Sequence, residues 1–121
     1  MYTIFVEAAF KAQHQLTFQG GTQEPLHEHN WKVCAEMSSE KLDKDELVMD
    51  FEELKSMLNI ALQDLRNQRL ESLGVFESRN VSAEALARTI YEQLAPQLSP
   101  PVQLDAIEVT EAPGCRARYA P

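Results

Sequence analysis

The sequence predicts an α+β fold in which helices pack on one face of an antiparallel sheet. Two segments with β-type patterns come first, two segments with apolar residues at helical spacing follow, and β-type segments return at the end. Strands that stand together before and after a block of helices are typical of α+β domains. No internal repeat or low-complexity segment interrupts this order.

The two N-terminal strands differ in their patterns. Residues 2–10 carry apolar side chains on both faces, which predicts a strand that is covered on both sides. After the Gly20–Gly21 break, residues 26–37 alternate cleanly, which predicts a second strand with one largely apolar face. That face consists of His27, His29, Trp31, Val33, Ala35 and Met37.

Capping residues mark the two helices. The polar stretch 38–46 is predicted to be a turn that leads to a short β run at residues 47–49. Asp50 and Glu53 then form a capping-box pattern that predicts the start of the first helix, and Ser82 predicts the start of the second. The expected core-facing residues are Phe51, Leu54, Leu58, Ala61, Leu62 and Leu65, followed by Leu86, Ile90 and Leu94.

The C-terminal part returns to β structure. The second helix is expected to end at the proline-rich stretch that begins at Pro96, because proline cannot continue a helix. A strand is predicted from about Leu104 to Glu111. The Pro113–Gly114 pair then predicts a turn into a short last strand that ends at Tyr119.

Length and composition limit the classes of function. The chain of 121 residues is expected to form one domain, residues 1–121. Its formal net charge of −8 argues against nucleic acid and membrane as partners, since anionic surfaces attract clustered Lys and Arg. The first residues predict no secretory signal, and no apolar run approaches the ~20 residues of a membrane helix. With two distant cysteines and no disulfide framework, we expect a soluble, cytoplasmic protein.

The three histidines are spaced in a way that suggests a metal site. His27 and His29 stand two residues apart in a predicted strand and therefore share a face. A hairpin partner could bring His14 to the same point. Three imidazoles with one open position are typical of a catalytic zinc site. The alternative is that three histidines in a small protein lie on its surface by chance.

Glu111 lies in the last long strand, on the same face as Ile107 and Val109. A carboxylate in line with buried apolar residues is costly unless hydrogen-bond donors reach it. It could cap the strand end at a solvated rim. It could also accept two N–H groups from a planar heterocycle, with bidentate geometry.

Five stretches carry a family resemblance, in the same order along nearly the whole chain. They are Phe10–His14, His27–Trp31, Val48–Lys55, Asn80–Glu84 and Val109–Glu111. These resemble the F-x-A-A-H, H-G-H-[NS]-[YF], V-x-D-F-x-x-L-K, N-P-T-x-E and V-x-E-T motifs of the 6-pyruvoyl-tetrahydropterin synthase / 6-carboxy-tetrahydropterin synthase family.

The resemblance implies both an architecture and a site. The family has the tunnelling fold, a four-stranded antiparallel sheet with two helices on one face. Its subunits usually form a homo-oligomer, a hexamer of two stacked trimers with active sites at subunit interfaces. By the same resemblance His14, His27 and His29 would bind Zn2+, and Glu111 would anchor the pterin. The implied substrate is 7,8-dihydroneopterin triphosphate or a related dihydropterin.

Two catalytic features of the family are missing from the sequence. The stretch Leu65–Glu71 aligns with the family's L-D-H-x-x-L-N element but lacks both its aspartate and its histidine. The loop 21–26, where the family has a cysteine base, contains no thiol. Some relatives use a glutamate in this loop, so Glu24 is a candidate catalytic base. The alternative is that Glu24 is a solvated loop charge.

The two cysteines of the chain lie outside that loop. Cys34 falls on the strand face opposite the histidines, and Cys115 follows Glu111 in a turn from which it could approach a site. Three interpretations therefore stay open. The chain could be a zinc-dependent lyase, a paralogue that binds zinc and a pterin-like ligand without the family reaction, or a different zinc hydrolase on the same scaffold.

Overall fold

The computed structural model describes residues 1–121 and confirms the predicted α+β fold. Its main elements are β1 Tyr2–His14, β2 His27–Ser39, α1 Phe51–Leu62, α2 Ala83–Leu94, β3 Gln103–Ala112 and β4 Cys115–Tyr119. Short 3-10 helices lie at Leu70–Ser72, Gly74–Phe76 and Ala95–Gln97. The four strands form one sheet in the order β1-β2-β3-β4, and all neighbours are antiparallel.

The helices begin at the residues that their caps predict. The Asp50 carboxylate accepts a hydrogen bond from the Glu52 N–H at 2.8 Å, and the Ser82 hydroxyl accepts one from the Ala85 N–H at 3.1 Å. Caps of this kind typically stabilise a helix by about 1 kcal/mol. Neither these helices nor the shorter ones combine the length and the apolar character that crossing a membrane requires.

The core lies between the helices and one face of the sheet. It includes the predicted inner face of β2 and the apolar stripes of both helices: Trp31, Val33, Ala35, Met37, Leu54, Leu58, Leu62, Leu86, Ile90 and Leu94. Phe51 was expected in this core but is 52% exposed. It is the first residue of α1 and lines a shallow groove with Phe5 at the open edge of β1, where no further layer covers it.

The predicted short β run at residues 47–49 is wrong. The Asp43 carboxylate accepts hydrogen bonds from the N–H groups of Asp45 and Leu47, at 2.8 and 3.0 Å. The Asp43 N–H in turn donates to the Leu47 carbonyl at 2.8 Å. This turn uses backbone groups that pairing with a strand would need, so the segment stays irregular.

The strand β1 also departs from the sequence-based expectation. It continues past residue 10 to His14, which brings that histidine into the sheet. Within one chain it is not covered on both sides, since Phe5 is 57% exposed, whereas Val6 and Phe10 on the other face are buried. The reason is that the helices pack on one face of the sheet only.

Candidate metal centre and its surroundings

The β1–β2 hairpin brings the three histidines together. His14 is the last residue of β1 and lies directly opposite His27, the first residue of β2. His29 stands two residues further along β2 and therefore points to the same face. One ring nitrogen from each of the three histidines lies within 4.8 Å of the other two. The expected cluster is thus present at one end of the sheet.

Backbone carbonyls orient two of the rings. The Nδ1 atom of His14 lies 2.8 Å from the Val81 carbonyl oxygen, and the Nδ1 atom of His27 lies 2.7 Å from the Pro25 carbonyl oxygen. A carbonyl can only accept, so both Nδ1 atoms are the protonated donors of their rings. In the neutral rings the Nε2 atoms consequently carry lone pairs.

These lone pairs are directed at a common point. The Nε2 atoms of His14 and His27 are only 2.9 Å apart, and two lone pairs at this distance repel unless a proton or a cation lies between them. The Nε2 atom of His29 is buried and has no hydrogen-bond partner. A single cation would satisfy all three nitrogens at once.

The donor set fits a metal that prefers imidazole nitrogen. Zn–N bonds of about 2.0–2.1 Å place two ligands of a tetrahedral ion about 3.3 Å apart. In the structure the Nε2 atoms of His14 and His27 are 2.9 Å apart, and the ring nitrogens of all three histidines lie within 4.8 Å of one another, which is close to this spacing. The carbonyl partners of His14 and His27 are the kind of hydrogen-bond acceptors that usually fix the rings of metal ligands.

Burial shields His14 from solvent and favours the neutral form of His29. His14 is 1% exposed and packs edge-on against Trp31, with ring centroids 4.9 Å apart. Burial is the main cause that lowers the pKa of His29, and the neighbouring His14 and His27 lower it further, against the opposing effect of Glu111. A lowered pKa favours the neutral imidazole, which is the form that binds a metal.

Two carboxylates flank the imidazoles. Glu24 Oε1 lies 4.0 Å from His14 Nε2 and 3.9 Å from His27 Nε2. The Leu16 N–H donates to this oxygen at 3.0 Å, which holds the side chain over the cluster. Glu111 Oε1 lies 3.3 Å from His14 Nε2 and 3.8 Å from His29 Nε2. Both candidate residues from the sequence therefore lie beside the histidines, each next to a different pair of them.

A solvent-open groove runs away from Glu111. It has a volume of about 540 Å³, and its lining includes Glu84, Glu111, Gly114, Cys115, Arg116 and Arg118. The exposed Cys115 lines this groove together with Glu111. The groove gives a small planar molecule access to the Glu111 carboxylate.

Cys34 is excluded from the site. It is half-buried on β2, on the face opposite the histidines. Burial raises the pKa of its thiol, and the carboxylates of Glu7, Glu108 and Glu36 raise it further. A raised pKa disfavours the nucleophilic thiolate, so Cys34 does not substitute for the missing cysteine base.

The positions of the missing aspartate–histidine pair have structural contacts instead. The Arg66 guanidinium donates to the Ala9 carbonyl and to the Asn59 side-chain oxygen, both at 2.8 Å. Asn67 adopts a left-handed conformation with φ of 60°, and its N–H donates to the Lys11 carbonyl at 2.7 Å. Through these hydrogen bonds to β1 carbonyls, both residues hold the segment after α1 against the outer edge of the sheet.

Sequence reasoning missed the hydrogen-bond partner of His14 and the carboxylate that contacts the residues around it. Neither the Val81 carbonyl nor the Glu71 carboxylate, which accepts the N–H groups of Gln15 and Val81 at 2.9 and 3.1 Å, was among the candidate site residues. A backbone carbonyl carries no residue-type signal. Glu71 stands where the family's L-D-H-x-x-L-N element has asparagine, so the motif does not point to a carboxylate at this position.

Comparisons with known proteins agree with this architecture. A family sequence model described as 6-pyruvoyl tetrahydropterin synthase matches residues 3–121. A 6-carboxy-5,6,7,8-tetrahydropterin synthase from Synechocystis sp. is 31% identical over 125 residues, which cover 98% of this chain and 93% of that protein. The fold and the histidine cluster thus define a tetrahydropterin-synthase-like class. The chain belongs to the 6-pyruvoyl tetrahydropterin synthase family.

Solved structures show the same fold at lower identity. The 6-pyruvoyl tetrahydropterin synthase of Caenorhabditis elegans superposes with a TM-score of 0.87 at 20% identity, covering 99% of this chain and 95% of that one. A Plasmodium vivax 6-pyruvoyltetrahydropterin synthase superposes with a TM-score of 0.76 at 18% identity, covering 98% and 96%. In that Plasmodium protein a glutamate described as a catalytic residue is replaced by cysteine.

Proposed function

We propose that this protein is a zinc-dependent lyase of the 6-pyruvoyl/6-carboxy-tetrahydropterin synthase type, acting on 7,8-dihydroneopterin triphosphate or a related dihydropterin. The observation that carries the proposal is the convergence of three imidazoles with two carboxylates, each of which lies beside a different pair of histidines. Family membership supports the same class of reaction.

In this proposal His14, His27 and His29 hold the zinc ion through their Nε2 atoms. Bound zinc would act as a Lewis acid on the hydroxyl groups of the substrate side chain, which makes proton removal easier. Backbone groups around the cluster orient the imidazole rings. The Val81 and Pro25 carbonyls keep His14 and His27 in the tautomer that presents Nε2.

Glu111 is proposed to bind the pterin ring. A pterin offers a ring N–H beside an exocyclic amine, and a carboxylate can accept from both. Apart from the nearby histidine nitrogens, the Glu111 carboxylate has no protein partner within hydrogen-bond distance. The groove beside it is open to solvent and has room for a bicyclic ring. Glu111 would therefore orient the ring while the side chain of the substrate points to the histidines.

Glu24 is proposed as the general base in place of the family's cysteine. Its Oε1 atom is held by the Leu16 N–H at 3.0 Å, within 4.0 Å of two ligand nitrogens. A substrate carbon or hydroxyl bound in front of the histidines would come within reach of this oxygen. The Plasmodium vivax relative supports this role, because a glutamate is described as a catalytic residue in that protein.

The Glu111→Gln variant tests the site. The amide has only one acceptor oxygen, so one pterin N–H loses its partner in a partly desolvated groove. We expect the dissociation constant for 7,8-dihydroneopterin, measured by isothermal titration calorimetry, to rise about tenfold or more. The matched control is Glu108→Gln on the same strand, whose carboxylate pairs with Arg116 instead, at 3.6 Å. Equal binding by the Glu111→Gln variant and the wild type would contradict the proposed pterin site.

A second candidate function is a pterin-binding protein without the family reaction. The observation that favours it is the use of Arg66 and Asn67 in structural hydrogen bonds, at the positions of the family's aspartate–histidine pair. Zinc analysis combined with an assay of 7,8-dihydroneopterin triphosphate separates the two functions. Zinc and pterin binding with turnover supports the lyase, and binding without any turnover supports the non-catalytic paralogue.

The quaternary structure is proposed to be a hexamer of two trimers. The uncovered face and edge of β1, with Phe5 57% exposed, support an assembly in which neighbouring sheets meet. We expect multi-angle light scattering at micromolar concentration to give six times the chain mass of 13.7 kDa. A mass equal to that of one chain would contradict the assembly.

A further inference from the structure

The orientation of the ligand His14 depends on a distant loop. His14 is buried, and its Nδ1–H donates to the Val81 carbonyl, which lies 67 residues further along the chain. Val81 belongs to the segment just before α2 and is fully buried. Whatever holds this segment against the end of β1 therefore also decides where the His14 ring points.

The Glu71 carboxylate links the end of β1 to the segment that contains Val81. Its Oε1 atom accepts the Gln15 N–H at 2.9 Å, and its Oε2 atom accepts the Val81 N–H at 3.1 Å. One contact is to the residue that follows His14, and the other is to the residue whose carbonyl orients His14. Each N–H donates to a different oxygen, so a side chain with two acceptor oxygens is needed to satisfy both. The carboxylate of Glu71 provides them, and hydrogen bonds to a charged acceptor are stronger than those to a neutral one.

Other contacts keep the loop folded near β1 without Glu71. The Asn80 side chain exchanges two hydrogen bonds with the Thr17 backbone, at 2.8 and 2.9 Å. Neither of these contacts reaches the Val81 peptide group itself. They secure the position of the segment, whereas Glu71 sets the position of the acceptor for His14.

We propose that Glu71 is a positioning residue of the metal centre, which acts through Val81 and Gln15 to hold His14 in the orientation that binds the ion. The inference rests on the proposed metal site. It predicts that metal affinity depends on a carboxylate that is not itself a ligand. Loss of hydrogen-bond partners behind metal ligands typically weakens metal binding about 10–100-fold.

The test uses Glu71→Gln, with Glu77→Gln as the matched control. Glu77 is exposed and makes no side-chain hydrogen bond, and its replacement changes the charge equally. The dissociation constant for Zn2+ is measured by competition with a chromophoric chelator. We expect it to rise about tenfold in Glu71→Gln and to stay unchanged in Glu77→Gln.

A double-mutant cycle separates positioning from a general effect on the fold. In a His14→Gln background the residual zinc affinity should not change further when Glu71 is replaced, because the group that Glu71 positions is gone. An equal loss in both backgrounds, or Glu71→Gln affinity within twofold of wild type, would overturn the inference. If Glu71→Gln does not fold, Glu71→Asp serves, since it keeps the charge but is too short to reach both N–H groups, and we expect weaker zinc binding.

The metal-free protein provides a readout that needs no zinc. Long-range 1H–15N spectra of the histidine rings should show His14 in its Nδ1–H form in the wild type and a mixture of tautomers in Glu71→Gln. An unchanged His14 tautomer would overturn the inference even if zinc binding failed altogether. Failure of the wild type to bind zinc would overturn the proposed metal site and leave this spectroscopic test of Glu71 intact.

Discussion

The His27→Ala variant is expected to lose stoichiometric zinc. It removes one of three imidazole ligands, and the two that remain cannot complete the site. Loss of a mere hydrogen-bond partner of a ligand already costs about 10–100-fold in affinity, so loss of the ligand itself should cost more than a hundredfold. His27 is the best choice for the test because its side chain is 34% exposed, against 1% for His14. The core should therefore tolerate the change.

Metal content after dialysis against a weak chelator, measured by plasma mass spectrometry, checks this prediction. Glu28→Ala is the matched control, since Glu28 lies between His27 and His29 in β2 but is exposed on the opposite face. The control should keep one zinc per chain. The wild type should also melt at a higher temperature with zinc than without it, because a ligand that binds only the folded state stabilises it. Full zinc retention by His27→Ala would rule out the three-histidine site.

The Glu24→Gln variant is expected to lose turnover while it keeps substrate binding. General bases typically contribute about 10²–10⁴ in rate, and the amide cannot accept the proton. The amide oxygen can still accept from the Leu16 N–H, as the Glu24 carboxylate does at 3.0 Å, so the loop should stay in place. We therefore expect kcat on 7,8-dihydroneopterin triphosphate to fall and KM to change little.

The wild-type rate is part of the same prediction. Because neither the cysteine nor the aspartate–histidine pair is present, turnover should be slower than in relatives that have them. Glu28→Gln, which changes the charge equally on the opposite face of β2, should keep the wild-type rate. A wild-type protein as fast as those relatives, with a Glu24→Gln variant of equal rate, would show that Glu24 is not the base.

Local patterns in the sequence determined most of the fold. Asp50 and Ser82 predicted where the helices begin, and the alternation of residues 26–37 predicted which face of β2 is buried. These features depend on neighbours within a few residues, which periodicity and capping rules describe. The same rules failed at residues 47–49, where the Asp43 side chain captures the backbone groups that a strand would need.

Strand geometry also predicted which residues of the candidate site lie together. His27 and His29 share a face, and a hairpin partner was expected to bring His14 to them. Glu111 followed from its strand face and the family resemblance, and Glu24 from the loop in which the family's cysteine is absent. The contacts among these groups depend on how distant segments pack. The register that sets His14 opposite His27, the Val81 carbonyl behind His14 and the Glu71 bridge all join segments far apart in the chain. Such contacts arise when loops pack so that buried backbone groups find hydrogen-bond partners. Because every residue has a backbone carbonyl, no pattern of residue types predicts these contacts.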